Sequence, residues 1–330
     1  MNKTNFDLAL KKGSKKLHIK RQKQLDKAYD YHKLFHDKNG DIDSKYLELR
    51  NCPICNKNNF IFLFKKNGGN YVRCKNKSCQ LVYLNPCFTD VHLESYYKNM
   101  GIAQSITVKD ESPFYKKIYS YGITNINKFI KSKKEINILD LGCSTGFFLD
   151  IAKEKGWKTF GIELNEKEID IAKKNHNVKN INLHEVQEKL NYKFNVITMW
   201  DVIEHVKDPH DLLKTIKKSL KPGGLFFFQT PNVNSLAARI LQQKCNVFDG
   251  IEHVNLFNEN NIYNIAKKNK FKVLLVESII SEIPIISNYL NYDHPYLGSS
   301  KEKNFLGIFD DKILHKKYLG YKMQVVFKSI

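Results

Sequence analysis

The chain has 330 residues, 42% of them hydrophobic and 12% aromatic, enough for one large core plus a small appendage and too apolar for a disordered chain. No apolar run approaches the roughly 20 residues that span a bilayer. The lysine-rich N-terminus lacks the apolar core of a signal peptide, so a cytoplasmic location is expected. The formal charge is +20, and residues 1–100 carry 20 basic against 9 acidic side chains. Only four of the 54 basic residues are arginine (Arg21, Arg50, Arg73 and Arg239), and arginine is the side chain suited to bidentate phosphate and base contacts. The charge therefore fits an anionic small substrate such as a nucleotide-linked sugar, or an acidic membrane surface, as well as it fits RNA. A merely solvated lysine-rich surface is the plain alternative.

In chain order, Leu17, Leu25, Tyr29, His32 and Phe35 give patchy helical spacing that Asn39-Gly40 breaks. The reading is one or two basic amphipathic helices over residues 1–50, with a solvated tail as the competing reading. Next come Cys52-Pro-Ile-Cys55 and Cys74-Lys-Asn-Lys-Ser-Cys79. Two such pairs can place four thiolates around one tetrahedral zinc, and in a reducing compartment clustered cysteines read as metal ligands, not disulfides. Between the pairs, Phe60 to Phe64 and Asn70 to Arg73 read as strands joined at Asn67-Gly-Gly69, and Leu81 to Leu84 as a third. This is a zinc-ribbon pattern over residues 51–90. Asn56 stands where glycine is common, and asparagine also tolerates a left-handed backbone. The second pair has a four-residue gap, so its knuckle must be looser. Four cysteines fill the shell, which makes the metal structural. Cys87, Cys143 and Cys245 read as inert small side chains.

Ile138-Leu-Asp-Leu-Gly-Cys-Ser-Thr-Gly-Phe-Phe-Leu149 is the most informative segment. An apolar run ending at Asp140 reads as a buried parallel strand, Gly142 and Gly146 allow a tight turn, and Phe147 to Lys155 has helical spacing. Strand, glycine-rich turn and helix open a doubly wound nucleotide-binding domain, with ligand at the carboxyl end of the strand. Trp157 to Glu163 reads as the next strand, closed by an acid about 20 residues past the loop, where it can accept bonds from ribose hydroxyls. Phe194 to Trp200 is a further buried strand leading into Asp201-Val-Ile-Glu-His-Val206. A helix over Asp211 to Leu220 is broken by Lys221-Pro-Gly-Gly224. The strand Leu225 to Gln229, the turn Thr230-Pro-Asn232, and Gly250-Ile-Glu-His-Val-Asn-Leu-Phe257 follow. A helix over Asn260 to Lys268, a strand over Phe271 to Val276 and a last strand over Tyr321 to Lys328 complete the series. Pro284, Pro295 and Gly298 punctuate an aromatic-rich stretch before it.

The Leu139-Asp-Leu-Gly-Cys-Ser-Thr-Gly146 segment resembles the first motif of class I S-adenosylmethionine (SAM) methyltransferases, with Ser144 in place of the usual middle glycine. The motif order over roughly 115 to 280 looks like the subfamily of ubiquinone-type O-methyltransferases and surface-polysaccharide-cluster enzymes, which often carry an N-terminal Cys-Pro-x-Cys ribbon. The resemblance implies an α/β fold, a doubly wound Rossmann-like seven-stranded sheet, occupying 91–330 with an insertion at about 281–320. It implies that Asp140, Gly142, Cys143, Ser144 and Gly146 cradle the methionine end of SAM. Glu163 would bind the ribose, and Trp200 and Asp201 would line the sulfonium path. The adenine contact is expected near Glu185 to Glu188. Methyl transfer is an in-line displacement needing alignment and, for a hydroxyl acceptor, a base. His205, after the Trp200 strand, and His253, on the acceptor side, are the candidates, since histidine titrates near working pH. Metal ligands are Cys52, Cys55, Cys74 and Cys79. The expected enzyme is a SAM-dependent O-methyltransferase of a small or saccharide acceptor. The alternatives are an RNA methyltransferase, a sugar C-methyltransferase and a silent scaffold.

Overall fold

The computed structural model describes residues 25–100, 112–130, 135–181, 192–298 and 310–330, with single positions 19, 22, 23, 185, 186 and 189 besides. The expectations for Leu17, for Gln187 and Glu188, and for 299–309 lie outside the described residues. The chain divides into two compact units, one built from residues up to 96, 231–261 and 277–323, the other from 97–230, 262–276 and 324–330.

The second unit holds, but for the ends of three strands, a seven-stranded sheet of β6 (Asn137–Leu141), β7 (Lys158–Ile162), β8 (Asn177–Lys179), β9 (Phe194–Trp200), β10 (Leu220–Pro231), β12 (Phe271–Ile279) and β13 (Lys322–Ser329). The strand order is β12-β13-β10-β9-β6-β7-β8, and the β10-β9-β6-β7-β8 run is parallel. Every residue of β6 is buried. That follows from a parallel sheet covered on both faces, which needs continuous apolar strands instead of alternating ones. Ile138, Leu139, Val196, Ile197, Phe226, Phe227 and Phe228 form its fully buried centre. The strand order reverses between β6 and β9, the switch point where open α/β sheets bind ligands at the strands' carboxyl ends.

Local chemistry sets where the helices begin. α3 (Phe147–Glu154) starts at Gly146 in the left-handed region. The Asn165 side chain accepts from the Lys167 and Glu168 amides to start α4 (Glu166–Ala172). Asp208 caps α5 (Pro209–Ser219), with Pro209 at its first position. The Lys221–Gly224 break lies inside β10, whose register with β9 shifts between Leu220 and Leu225. The glycines absorb an irregularity there without ending the strand.

The first unit carries an antiparallel sheet in the order β11-β4-β3-β2, formed by β2 (Phe60–Lys66), β3 (Gly69–Cys74), β4 (Val82–Leu84) and β11 (Asn255–Leu256). A two-stranded pair of β1 (Leu47–Glu48) and β5 (Cys87–Phe88) lies in the same unit. α1 (Asp90–Met100) follows it in sequence. The Phe35 ring meets those of His92 and Tyr46, centroids 4.0 and 5.1 Å away, so this part of the N-terminal segment is packed, not solvated. No helix of the described residues is long and apolar enough to cross a membrane.

Candidate active site and metal centre

Within the sheet unit, the turn after β6 is held from two sides. The Gly142 and Cys143 amides both donate to the Ile162 carbonyl, at 2.9 and 3.0 Å. Ser144 adopts φ 49°, and its amide donates to Glu163 Oε2 at 2.9 Å. Glu163 Oε1 accepts from the Leu164 and Asn165 amides. The acid at the end of β7 therefore does more than await a ligand: it orders the loop it faces. Gly146 (φ 85°) leaves no room for a Cβ, which would lie 2.9 Å from the His176 ring. His176 is in turn fixed between Asp150 Oδ1 and Thr159 Oγ1, both at 2.9 Å. The Ser144 hydroxyl is buried with no partner among the described residues. A ligand's polar group is the natural partner for such an oxygen.

The other candidates in this unit take different positions. Asp140 is buried and accepts from Thr198 Oγ1 at 2.6 Å across the β6–β9 register. Burial, opposed by that bond and reinforced by Glu163, pushes its carboxyl up to about 8. The Trp200 ring packs on Tyr119, Phe148 and Phe227, so its bulk belongs to the core. Asp201 (φ 56°) holds its amide on the Gln229 carbonyl and accepts from Gln229 Nε2. His205 ends the short 3-10 turn Ile203–His205. Cys143 packs beside Gly161, where a Cβ would sit 2.5 Å from its sulfur.

In the first unit the four ribbon cysteines converge. All four sulfurs lie within 4.8 Å of one another, with Cys52–Cys79 at 3.6 Å and Cys55–Cys74 at 3.5 Å. Zinc bonded to sulfur at about 2.3 Å gives a tetrahedral edge of about 3.8 Å, so the quartet fits that ion. The first knuckle turns through Asn56 at φ 59°, its amide on the Cys52 carbonyl. The longer second knuckle is organised by Asn76. Its carbonyl accepts from Cys79 and Gln80, and its side chain from Ser78.

His253 lies in the same unit. Its Nδ1 sits 2.7 Å from the Val247 carbonyl, which can only accept, so Nδ1 carries the proton and Nε2 is the basic nitrogen of the neutral ring. Next to it, Glu252 receives the Tyr96 hydroxyl at 2.6 Å, while burial and the nearby Asp249 push it up to about 7. The sequence reading missed Tyr96, Asp249 and Thr198, whose partners are 156 residues away in the first case and 58 in the last.

Residues 116–276 match a family described as a methyltransferase domain. The match covers just under half of the chain, and that segment is similar to methyltransferase domains. A ubiquinone biosynthesis O-methyltransferase of Coxiella burnetii is 32% identical over 104 residues, 30% of this chain and 44% of that protein. The Idiomarina loihiensis enzyme of the same name is 31% identical over 104 residues, 29% of this chain and 43% of its own. The chain thus spans less than half the length of these curated relatives. Among solved structures, a SAM-dependent methyltransferase from Archaeoglobus fulgidus is similar, with a TM-score of 0.46, 17% identity, and 65% of this chain and 94% of that one covered. The plantazolicin methyltransferase BpumL in complex with SAH has a TM-score of 0.47 at 16% identity, covering 68% of this chain and 89% of the other.

Proposed function

We propose that this protein transfers a methyl group from SAM to an oxygen of a small or saccharide-like acceptor, in the cytoplasm. The observation that carries the reading is the β6–α3 turn cross-linked to Glu163 at the switch point of the sheet. Backbone amides and a buried hydroxyl converge there beside an acid. Gly142, Ser144 and Gly146 hold the methionine end, and the remaining lone pairs of Glu163 accept the ribose hydroxyls. Buried Asp140, bonded to Thr198, is a support for the β6–β9 junction, and Asp201 closes the far side. SAM supplies a sulfonium methyl whose displacement needs no proton on the leaving group. What the chain adds is orientation, exclusion of water and, for a hydroxyl acceptor, a proton acceptor. His253 is that base, its tautomer set by Val247. Zinc at Cys52, Cys55, Cys74 and Cys79 is structural, because four thiolates leave no open position.

The test starts with calorimetric titration of SAM and its demethylated product, followed by a product screen over nucleotide sugars and an RNA control. Absence of affinity for either cofactor form sinks the reading. A carbon-linked methyl or methylated RNA replaces the acceptor assignment.

A further inference from the structure

The segment 249–256 follows the fifth strand of the sheet unit in sequence, yet ribbon residues hold it. β11 adds to the ribbon sheet, pairing Asn255 with Tyr83 and Leu256 with Val82. The Arg50 guanidinium, beside the first knuckle, donates to the Val254 carbonyl at 2.6 Å and to Asn255 Oδ1 at 3.0 Å. The Asn67 side chain donates to the Asp249 carbonyl at 2.8 Å. The β2–β3 turn meets Gly250 so closely that a Cβ on Gly69 would collide with the Gly250 carbonyl, and one on Gly250 with the Lys66 carbonyl. On the metal side, Asn261 Nδ2 donates to the Cys79 carbonyl and lies 3.9 Å from its sulfur. Asn261 also exchanges bonds with Asn258, two residues past β11.

At the centre is Tyr71, fully buried on β3. Its hydroxyl accepts from the Gly250 amide at 3.0 Å and lies 3.3 Å from both Asp249 Oδ1 and the His253 carbonyl. Asp249 in turn accepts the amides of Ile251, Glu252 and His253. One phenol three residues from Cys74 thus ties the backbone on both sides of the candidate base to a strand that ends in a metal ligand.

We propose that the cysteine ribbon is the scaffold that positions His253, with Tyr71 as the positioning residue. Loading of the metal site then sets the order of the 249–256 loop. This rests on the reading of His253 as the acceptor's base. Losing a bond network to a carboxylate exposes the amides it protected. In the full chain, Tyr71→Phe should speed hydrogen exchange at residues 250–253 about 10-fold while amides of β6 and β7 are unchanged. Removing metal with a chelator should release 250–256 together with β3 and β4. With the acceptor in hand, Tyr71→Phe should lower kcat and leave the KM for SAM alone. Unchanged protection of 250–253 both in Tyr71→Phe and after chelation overturns the proposal, whatever the turnover. If His253→Ala keeps normal turnover while Tyr71→Phe still loosens the loop, the base assignment falls and the positioning stands.

Discussion

Glu163→Ala probes the cofactor loop most directly, because the carboxylate serves two purposes. Three amides donate to it. Those of Leu164 and Asn165 are its sequence neighbours, and Leu164 is 65% exposed, so water replaces the carboxylate there at small cost. The Ser144 bond differs: it spans 19 residues and holds a non-glycine residue in the left-handed region, which costs about 1–2 kcal/mol. A lone bond to a charged group contributes about 1.5–3 kcal/mol. Partial exposure discounts it, so the stability loss should be about 1–2 kcal/mol, or a fall of roughly 2–8 °C in Tm. Two ribose bonds lost on binding, discounted in the same way to about 1–1.5 kcal/mol each, add about 2–3 kcal/mol, which at 1.4 kcal/mol per decade is roughly 30–150-fold in Kd. Differential scanning calorimetry reads the first effect and isothermal titration with the demethylated product reads the second. Glu163→Gln, which keeps one acceptor oxygen, should fall between wild type and alanine in both. Wild-type affinity in Glu163→Ala would refute the ribose role, and an unchanged Tm would refute the loop-ordering role.

Three further outcomes follow from the site. Metal analysis of protein purified without chelator should find one zinc per chain, and chelation or Cys55→Ser should unfold the ribbon while SAM binding survives, since ligands and cofactor loop lie in different compact units; zinc-free protein would count against the centre. His253→Ala should cut turnover about 10²–10⁴-fold with SAM affinity nearly unchanged, whereas His205→Ala should disturb SAM affinity more; near-normal turnover in His253→Ala on the true acceptor means that alignment alone suffices. Asp140 has a folded pKa raised from 3.8 to about 8, so its contribution favours the folded state below pH 4 and is lost as pH rises through that window, at up to about 1.4 kcal/mol per pH unit. Asp140→Asn, which still accepts from Thr198, should flatten urea-measured stability between pH 4 and 8, and an unchanged slope would show the carboxyl to be ionised when folded.

Position along the chain set the reach of the sequence reading. Phe194–Trp200 and the helix ending at Lys268 were legible because buried parallel strands and amphipathic helices write their burial into local periodicity. The glycine turn and the two cysteine pairs were legible for a related reason: their chemistry is fixed by spacing over a few residues. Position alone also drew attention to Asp140, Trp200 and Glu163, but not what each side chain faces. Asp140 turns to Thr198, Trp200 to three aromatic rings, and Glu163 to the Ser144 amide in the turn after β6. Those partners come from other strands, helices and turns of the chain, so no local pattern announces them.

The sequence by itself determined the doubly wound sheet and the quartet of cysteines, because hydrophobic period and ligand spacing are short-range properties of a chain. Only the tertiary structure decided that residues 255–256 complete the ribbon sheet and that Tyr71 holds the His253 loop. A two-residue edge strand carries no period to read. A phenol 182 residues from the carbonyl beside it has a partner only once long-range packing has brought the two segments together and excluded the water that would otherwise satisfy them.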